Sequence, residues 1–327
     1  MYARVSAKRA KLLTESDYRN LLKMQPNEIA RKLEEGEYSE EINDLASDYE
    51  GIELIEHALT QNLSNTLCHI YEISPESLEN ILESYLRRYD ILSFKRLLRW
   101  KENGNKKNID ALITPTARTS KEKYLKLKQK SLEEIKESIK FPESNIDYQD
   151  YLKDTETLQE IEKQLDQAYF DDIIYTASKT RNKYLNKFVQ DEIEYENIKI
   201  ALRLKKYGLA EEKIKEMLLK GDKRNTGSDI AESEDLKQAL KLLRDKEIIK
   251  PEFEEENLED IEHLLEVKRL EKALSMLHEQ PMGLTSVLGY ILAKTIEVKN
   301  LRMLIRAKET GIQNNKTIER NLIIPNQ

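Results

Sequence analysis

Apolar residues along this chain recur at the spacing of helices that bury one face. Capping signals place the first short helices: Ser16 or Asp17 starts one, Pro26 opens the next, and Gly36 ends it. Longer helical patterns cover about 51–71, 155–176 and 258–278, and each is followed by another long pattern that ends at a glycine. The pattern therefore predicts an all-α protein.

The three patterns that end at a glycine repeat one another. Segments 82–104, 186–208 and 289–311 align without a gap, and their terminal glycines lie 104 and 103 residues apart. Counting back from each glycine, an acid, a small polar residue, a base, an arginine and a lysine stand at matching positions. In that order they are Asp90, Glu194, Glu297; Ser93, Asn197, Asn300; Lys95, Lys199, Arg302; Arg99, Arg203, Arg306; and Lys101, Lys205, Lys308, before Gly104, Gly208 and Gly311.

Such regular spacing is typical of tandem copies, and a period of about 105 residues has the size of a small domain. We therefore predict three helical domains, 1–115, 116–220 and 221–327, related by pseudo-threefold symmetry.

Each repeated acid interrupts an apolar helix face. At 100° per residue, Asp90 shares a stripe with Phe94 and Leu97, whereas Lys95 and Arg99 lie on the other side. A buried carboxylate must be paired or hydrogen-bonded, and the lysine eleven residues later is about 16 Å away along the helix. Two interpretations follow: the repeated residues fix a neighbouring helix or loop in each domain, or the acids and bases face a common axis and meet a partner.

The composition of the chain narrows the range of possible functions. The 327 residues contain 54 Lys and Arg against 61 Asp and Glu, a net charge of −7, and only nine Gly. The acidic balance argues against nucleic acid as the main partner, and the shortage of glycine argues against phosphate-binding loops. No apolar stretch approaches the length of a membrane span. With Cys68 as its single cysteine, the chain has no internal disulfide, which favours the cytoplasm.

Candidate catalytic motifs are sparse. None of the four histidines belongs to a metal-binding motif, so we expect no catalytic residue, no metal and no cofactor. Asp171 and Asp172, followed by Tyr175, resemble half of the aspartate-rich motif with which helical prenyl-transfer enzymes hold magnesium and diphosphate. The alternatives for these two aspartates are such an enzyme site or a solvated helix face. A soluble helical scaffold or adaptor is a further alternative for the whole chain.

Three segments carry a family resemblance: 2–22 (YARVSAKRAKLLTESDYRNLL), 83–104 (ESYLRRYDILSFKRLLRWKENG) and 288–312 (LGYILAKTIEVKNLRMLIRAKETGI). Over essentially its whole length, the chain resembles the C subunits of archaeal A-type and bacterial V-type ATP synthases, which are relatives of the d subunit of the eukaryotic vacuolar proton pump.

The resemblance implies a funnel-shaped, all-α protein and a non-catalytic part of the central rotor. It implies one copy per complex, peripheral on the cytoplasmic face of the cell membrane. There the protein would sit on the proteolipid ring and receive the D and F subunits of the central stalk, so that ion-driven rotation is coupled to ATP synthesis.

Overall fold

A computed structural model of the protein describes residues 1–104, 109–249, 257–280, 282–312 and 314–325, with only the backbone of 277–279. Within these residues the regular structure is entirely helical, which confirms the predicted all-α class. The helices are α1 (Tyr2–Arg9), α2 (Glu15–Leu21), α3 (Pro26–Glu34), α4 (Ser39–Leu45), α5 (Gly51–Glu72), α6 (Glu76–Glu102), α7 (Lys121–Leu127), α8 (Leu132–Glu137), α9 (Tyr148–Leu152), α10 (Leu158–Lys179), α11 (Lys183–Lys206), α12 (Glu211–Met217), α13 (Thr226–Glu232), α14 (Leu236–Asp245), α15 (Leu258–Glu279), α16 (Leu284–Glu309) and α17 (Asn315–Asn321), with a 3₁₀ turn at Asp110–Leu112.

Contacts group the chain into two compact units. Unit 1 consists of Met1–Phe141 and Ala273–Ile324, and unit 2 consists of Pro142–Lys272 with Pro325. This grouping does not test the proposed boundaries at 1–115, 116–220 and 221–327, so the three-domain division and its pseudo-threefold symmetry stay predictions.

Three pairs of long helices carry the repeated segments. The first helix of each pair, α5, α10 or α15, has 22 residues. The second, α6, α11 or α16, has 27, 24 or 26 residues. The aligned segments therefore occupy equivalent places in the local structure.

Each of these second helices ends at a glycine in the left-handed region. The φ angles are +73° at Gly104, +75° at Gly208 and +78° at Gly311. The glycine N–H donates to the carbonyl of Lys101, Lys205 or Lys308 at 3.2, 2.9 and 3.2 Å. A residue with a Cβ is disfavoured in this conformation, so the repeated glycines end the helices for a backbone reason.

Burial extends around most of the circumference of α16 over its first half. The consecutive residues Val287, Leu288, Gly289 and Tyr290, which point about 100° apart from one to the next, are all buried. Gly289 allows a close approach to α15, because a Cβ at this position would lie 2.5 Å from the carbonyl oxygen of Ala273. Such a helix is an interior element of unit 1.

The core of unit 2 forms where α11 packs on the helices that follow it. Ile198 and Leu202 of α11 belong to one buried cluster with Ile230 of α13, Leu240 of α14 and Ile261 of α15. Of the helices whose residues the structure describes, none has an apolar stretch long enough to cross a bilayer.

Replacing Gly311 with alanine tests the backbone role of the terminal glycines. The Cβ would meet nothing within 4 Å, so the expected loss of about 1 kcal/mol in the free energy of unfolding comes only from the left-handed φ. Urea unfolding followed by the fluorescence of Trp100, the single tryptophan, reports on unit 1.

Gly36→Ala is the matched control in the same unit, because Gly36 has an ordinary φ and a Cβ there makes only normal contacts. Its unfolding free energy should stay within about 0.5 kcal/mol of the parent protein. Equal changes in unfolding free energy for Gly311→Ala and Gly36→Ala would contradict the backbone role of Gly311.

Candidate functional site

The first repeated acid, Asp90 of α6, lies 3% exposed inside unit 1. Its carboxylate accepts hydrogen bonds from the Thr116 hydroxyl at 2.9 and 3.0 Å and from the Tyr124 hydroxyl at 2.9 Å. Thr116 lies in the loop before α7, and Tyr124 lies on α7 itself. Asp90 therefore fixes the approach to a short helix.

The second acid, Glu194 of α11, has equivalent partners in unit 2. It accepts a hydrogen bond from the Thr226 hydroxyl at 2.7 Å and forms an ion pair with Arg224. Thr226 is the first residue of α13 and Arg224 lies in the loop before it. The acid again holds the start of a short helix.

The third acid, Glu297 of α16, binds the N-terminal part of the chain. It accepts hydrogen bonds from the Leu13 N–H and the Tyr38 hydroxyl, both at 2.6 Å, and pairs with Lys294 at 2.7 Å. Leu13 precedes Thr14, the N-cap of α2. A segment far away in sequence thus provides the short helix of this copy.

The repeated small polar residues hold irregular backbone. Asn197 donates to the Leu219 carbonyl at 3.0 Å and accepts from the Leu219 N–H at 2.7 Å. Asn300 makes the same pair of bonds with Ile323 at 2.7 and 2.9 Å. Ser93 exchanges bonds of 3.3 and 3.1 Å with Thr114. Each side chain satisfies both polar groups of a buried residue outside helices.

The repeated lysines bind the other ends of the same short helices. The ammonium groups of Lys101, Lys205 and Lys308 donate to backbone carbonyls at 2.8, 2.7 and 2.6 Å. These carbonyls belong to Lys128, Ala231 and Leu22, at the C-terminal ends of α7, α13 and α2. Carbonyls there lack helical partners and attract positive charge.

The acid and the lysine of one long helix therefore hold opposite ends of one short helix, an arrangement called the acid–lysine clamp below. Each short helix has seven residues, about 10 Å, which fits between groups that are about 16 Å apart once the loop before it is counted. The acid and the lysine of each copy thus remain separated along their own helix but act on the same short helix.

In the second and third copies, the repeated bases and arginines contact a neighbouring long helix. Arg203 binds Glu262 of α15 through two hydrogen bonds of 2.5 and 2.7 Å, and Lys199 lies 3.9 Å from Glu266. Arg306 pairs with Glu56 of α5. In the first copy, Arg99 is exposed and Lys95 is half-buried on α6.

Burial dominates the electrostatics of the first clamp. Removal from water raises the pKa of Asp90 to about 6, although the hydrogen bonds from Tyr124 and Thr116 act in the opposite direction. Burial also raises the pKa of Tyr124 well above its ordinary value, so this hydroxyl stays a donor.

Asp171 and Asp172 have separate structural roles. Asp172 is fully buried and accepts from the Ser144 hydroxyl at 3.0 Å and the Asn145 N–H at 3.1 Å. Asp171 accepts from the Tyr151 hydroxyl at 2.8 Å. Across the described residues, no group of three His, Cys, Asp or Glu side chains is placed to hold a metal ion.

The hydrogen-bond partners of the acids were not identified from the sequence. Thr116, Tyr124, Thr226 and Tyr38 do not align with one another, and Tyr38 is 259 residues from its acid. The N-cap of α2 is Thr14, so the prediction of Ser16 or Asp17 for this start was wrong. Asp17 instead completes a capping box with Thr14, which was the usable signal in the sequence.

The pKa of Asp90 predicts a pH dependence for the stability of unit 1. A carboxyl whose pKa is raised from 3.8 to about 6 stabilises the fold below pH 3.8 and loses that contribution as pH rises through 6. Relative to Asp90→Asn, the parent protein should lose about 3 kcal/mol of unfolding free energy between pH 3.5 and 7.

Urea titrations followed by Trp100 fluorescence at several pH values measure this difference. The exposed Asp44→Asn serves as the control, and its difference from the parent should stay within about 0.5 kcal/mol at every pH. The role of burial would be disproved if the difference in unfolding free energy between the parent and Asp90→Asn did not change with pH, or changed in the opposite direction.

The chain is similar to known proteins over nearly its full length. The family model described as ATP synthase (C/AC39) subunit matches residues 1–320. The A-type ATP synthase C subunit of Methanococcoides burtonii is 32% identical, covering 98% of this chain and 92% of its own. The corresponding protein of Methanosarcina mazei is 30% identical, with 98% and 91% covered, and that of Haloferax volcanii is 26% identical, with 98% and 96% covered. These matches confirm the family inferred from the three sequence segments: the chain belongs to the ATP synthase (C/AC39) subunit family.

Proposed function

We propose that this protein is the non-catalytic central-rotor subunit of an A/V-type ATP synthase. It sits as one copy on the cytoplasmic face of the membrane, on the proteolipid ring, and receives the D and F subunits of the central stalk. In this position it couples ion-driven rotation of the ring to ATP synthesis elsewhere in the complex. The observation that carries the proposal is the family match over residues 1–320, together with relatives named as the C subunits of A-type ATP synthases.

The internal construction suits a part that transmits torque. Such a part must resist twisting, and each acid–lysine clamp fixes a short helix to a long one at two separated points. The anchoring acids are between 3% and 9% exposed, so water competes little for their hydrogen bonds. Buried, fully bonded contacts of this kind favour a stiff body.

The ends of α11 offer surfaces for two partners. Tyr184, in its first turn, is 40% exposed, and Tyr207, just past its last residue, is 79% exposed. Lys183 lies over the ring of Tyr184 at 5.0 Å. The two ends are about 36 Å apart, and exposed aromatic side chains are common anchors of protein interfaces.

The prenyl-transfer alternative requires Asp171 and Asp172 to share a magnesium ion. The buried Asp172 carboxylate is instead bonded to the loop at Ser144 and Asn145. These hydrogen bonds give the prenyl-transfer alternative no support. The binding of the ring and of the stalk subunits distinguishes the proposal from the scaffold alternative.

Binding experiments test the proposal directly. The purified chain should bind a detergent-extracted proteolipid ring and, separately, a complex of D and F, and it should not hydrolyse ATP by itself. Co-sedimentation with the ring, pull-down with the stalk and a phosphate-release assay measure the three properties. Efficient ATP hydrolysis by the chain would refute the proposal, and so would the absence of binding to the ring and to the complex of D and F.

Substitutions at the two ends of α11 test the proposed surfaces. Tyr184→Ser and Tyr207→Ser should each weaken binding to a different partner about fivefold or more, because each removes an exposed aromatic anchor. Leu92→Ser, 37% exposed in the middle of α6, is the control and should leave both affinities within about twofold. Loss of the same partner in both variants would contradict the assignment of the ends.

A further inference from the structure

Two half-buried arginines in unit 1 lie close together without a carboxylate of their own. Arg96 belongs to α6 and Arg302 to α16. Within the described part of the chain, neither forms an ion pair. The nearby carboxylate of Glu56 is already bonded to Arg306.

The hydrogen bonds of the two guanidinium groups go to neutral oxygens. Arg96 donates to the carbonyl of Leu112. Arg302 donates to the Thr60 hydroxyl at 2.7 Å and to the Ala111 carbonyl at 3.3 Å. The Arg302 Nε is buried and has no hydrogen-bond partner among the described residues. Neutral acceptors satisfy some N–H groups but give neither guanidinium group a directly bonded negative charge.

The electrostatic cost is visible in both side chains. Burial lowers the pKa of Arg96 to about 10, with the charges of Arg302, Arg99 and Arg306 acting in the same direction. Burial likewise lowers the pKa of Arg302, although the nearby carboxylate of Glu56 acts in the opposite direction. A guanidinium group keeps its proton in proteins, so an anion bound beside the two side chains would offset their mutual repulsion.

The second copy of the repeat has a carboxylate at a place where the third copy has none. In unit 2, Arg203 binds Glu262 and Lys199 faces Glu266, one turn further along α15. In unit 1, the equivalent Arg306 binds Glu56 in the same way.

One turn further along α5, however, the residue facing Arg302 is Thr60. The repeat therefore has a carboxylate at this place in one copy and a hydroxyl in the other.

We propose that Arg96 and Arg302 form a binding site for a tetrahedral oxyanion, either free inorganic phosphate or the phosphate group of a small soluble monoester. The two guanidinium groups belong to different helices, α6 and α16, and their N–H groups match the oxygens of a phosphate. The neighbouring Arg306 side chain is 49% exposed and gives the site a basic rim towards solvent. The bound anion supplies the negative charge that Glu266 supplies in unit 2.

Isothermal titration calorimetry of the full chain with inorganic phosphate, at constant ionic strength set with sodium chloride, tests the site. The parent protein should bind one phosphate per chain. Thr60→Glu should weaken this binding about tenfold or more, because its carboxylate takes the place of the anion, and Arg302→Met should abolish it.

Gln61→Glu is the control of equal charge. Gln61 is the next residue of α5, and its side chain bonds Asn65 rather than Arg302, so phosphate affinity should stay within about twofold. Titration with adenosine monophosphate distinguishes the two sources of the phosphate group. Competition between this monoester and phosphate shows that the site accepts esters, whereas binding of phosphate alone restricts it to the free ion.

Absence of binding of both probes to the parent protein would overturn the proposal. Phosphate binding by Thr60→Glu and Arg302→Met that is as strong as binding by the parent protein would also overturn it, because the anion would then lie elsewhere. Arg302→Met keeps the test valid if Thr60→Glu does not fold, and circular dichroism establishes folding of each variant. The isolated chain is sufficient here, so a negative result leaves the rotor proposal to its own binding experiments.

Discussion

A buried carboxylate that must find donors constrains each copy of the repeat. Asp90, Glu194 and Glu297 interrupt apolar helix faces, and a charge there is tolerated only if the surrounding backbone and hydroxyl groups turn towards it. In each copy at least one donor comes from the start of the short helix or the segment before it: Thr116, Thr226 or Leu13. The lysine eleven residues later then holds the opposite end of that helix through its free carbonyls. Stability and the placement of the short helices are thus determined by the same few side chains.

The features that the sequence predicted well are local or periodic. The helical class followed from spacing and from the shortage of glycine, and the helix ends followed from Gly104, Gly208 and Gly311, whose positive φ is a backbone requirement. The repeated acids and lysines could be selected because they recur at a fixed distance from those glycines. Their partners could not, since Tyr38 and Tyr124 occupy unrelated positions and meet their acids only through the tertiary fold.

Differences between the copies are as informative as their agreement. The acid–lysine clamp is kept in all three, although the first two use segments that follow the long helix and the third uses the N-terminal segment. The contact beside it is not kept: Glu266 faces Lys199 in unit 2, but Thr60 faces Arg302 in unit 1. Retention of the clamp matches its role in holding the fold together, whereas the variable contact is where a copy can gain a separate property.

The bonds from Leu13 and Tyr38 to Glu297 have a consequence for the order of events during synthesis. They join residues separated by 284 and 259 positions, so they form only after nearly the whole chain has left the ribosome. Contacts between such distant residues also slow folding, because a long loop must close before they stabilise anything. Until then Glu297 lacks these two donors, whereas unit 2 consists almost entirely of the continuous stretch 142–272, whose contacts can form earlier.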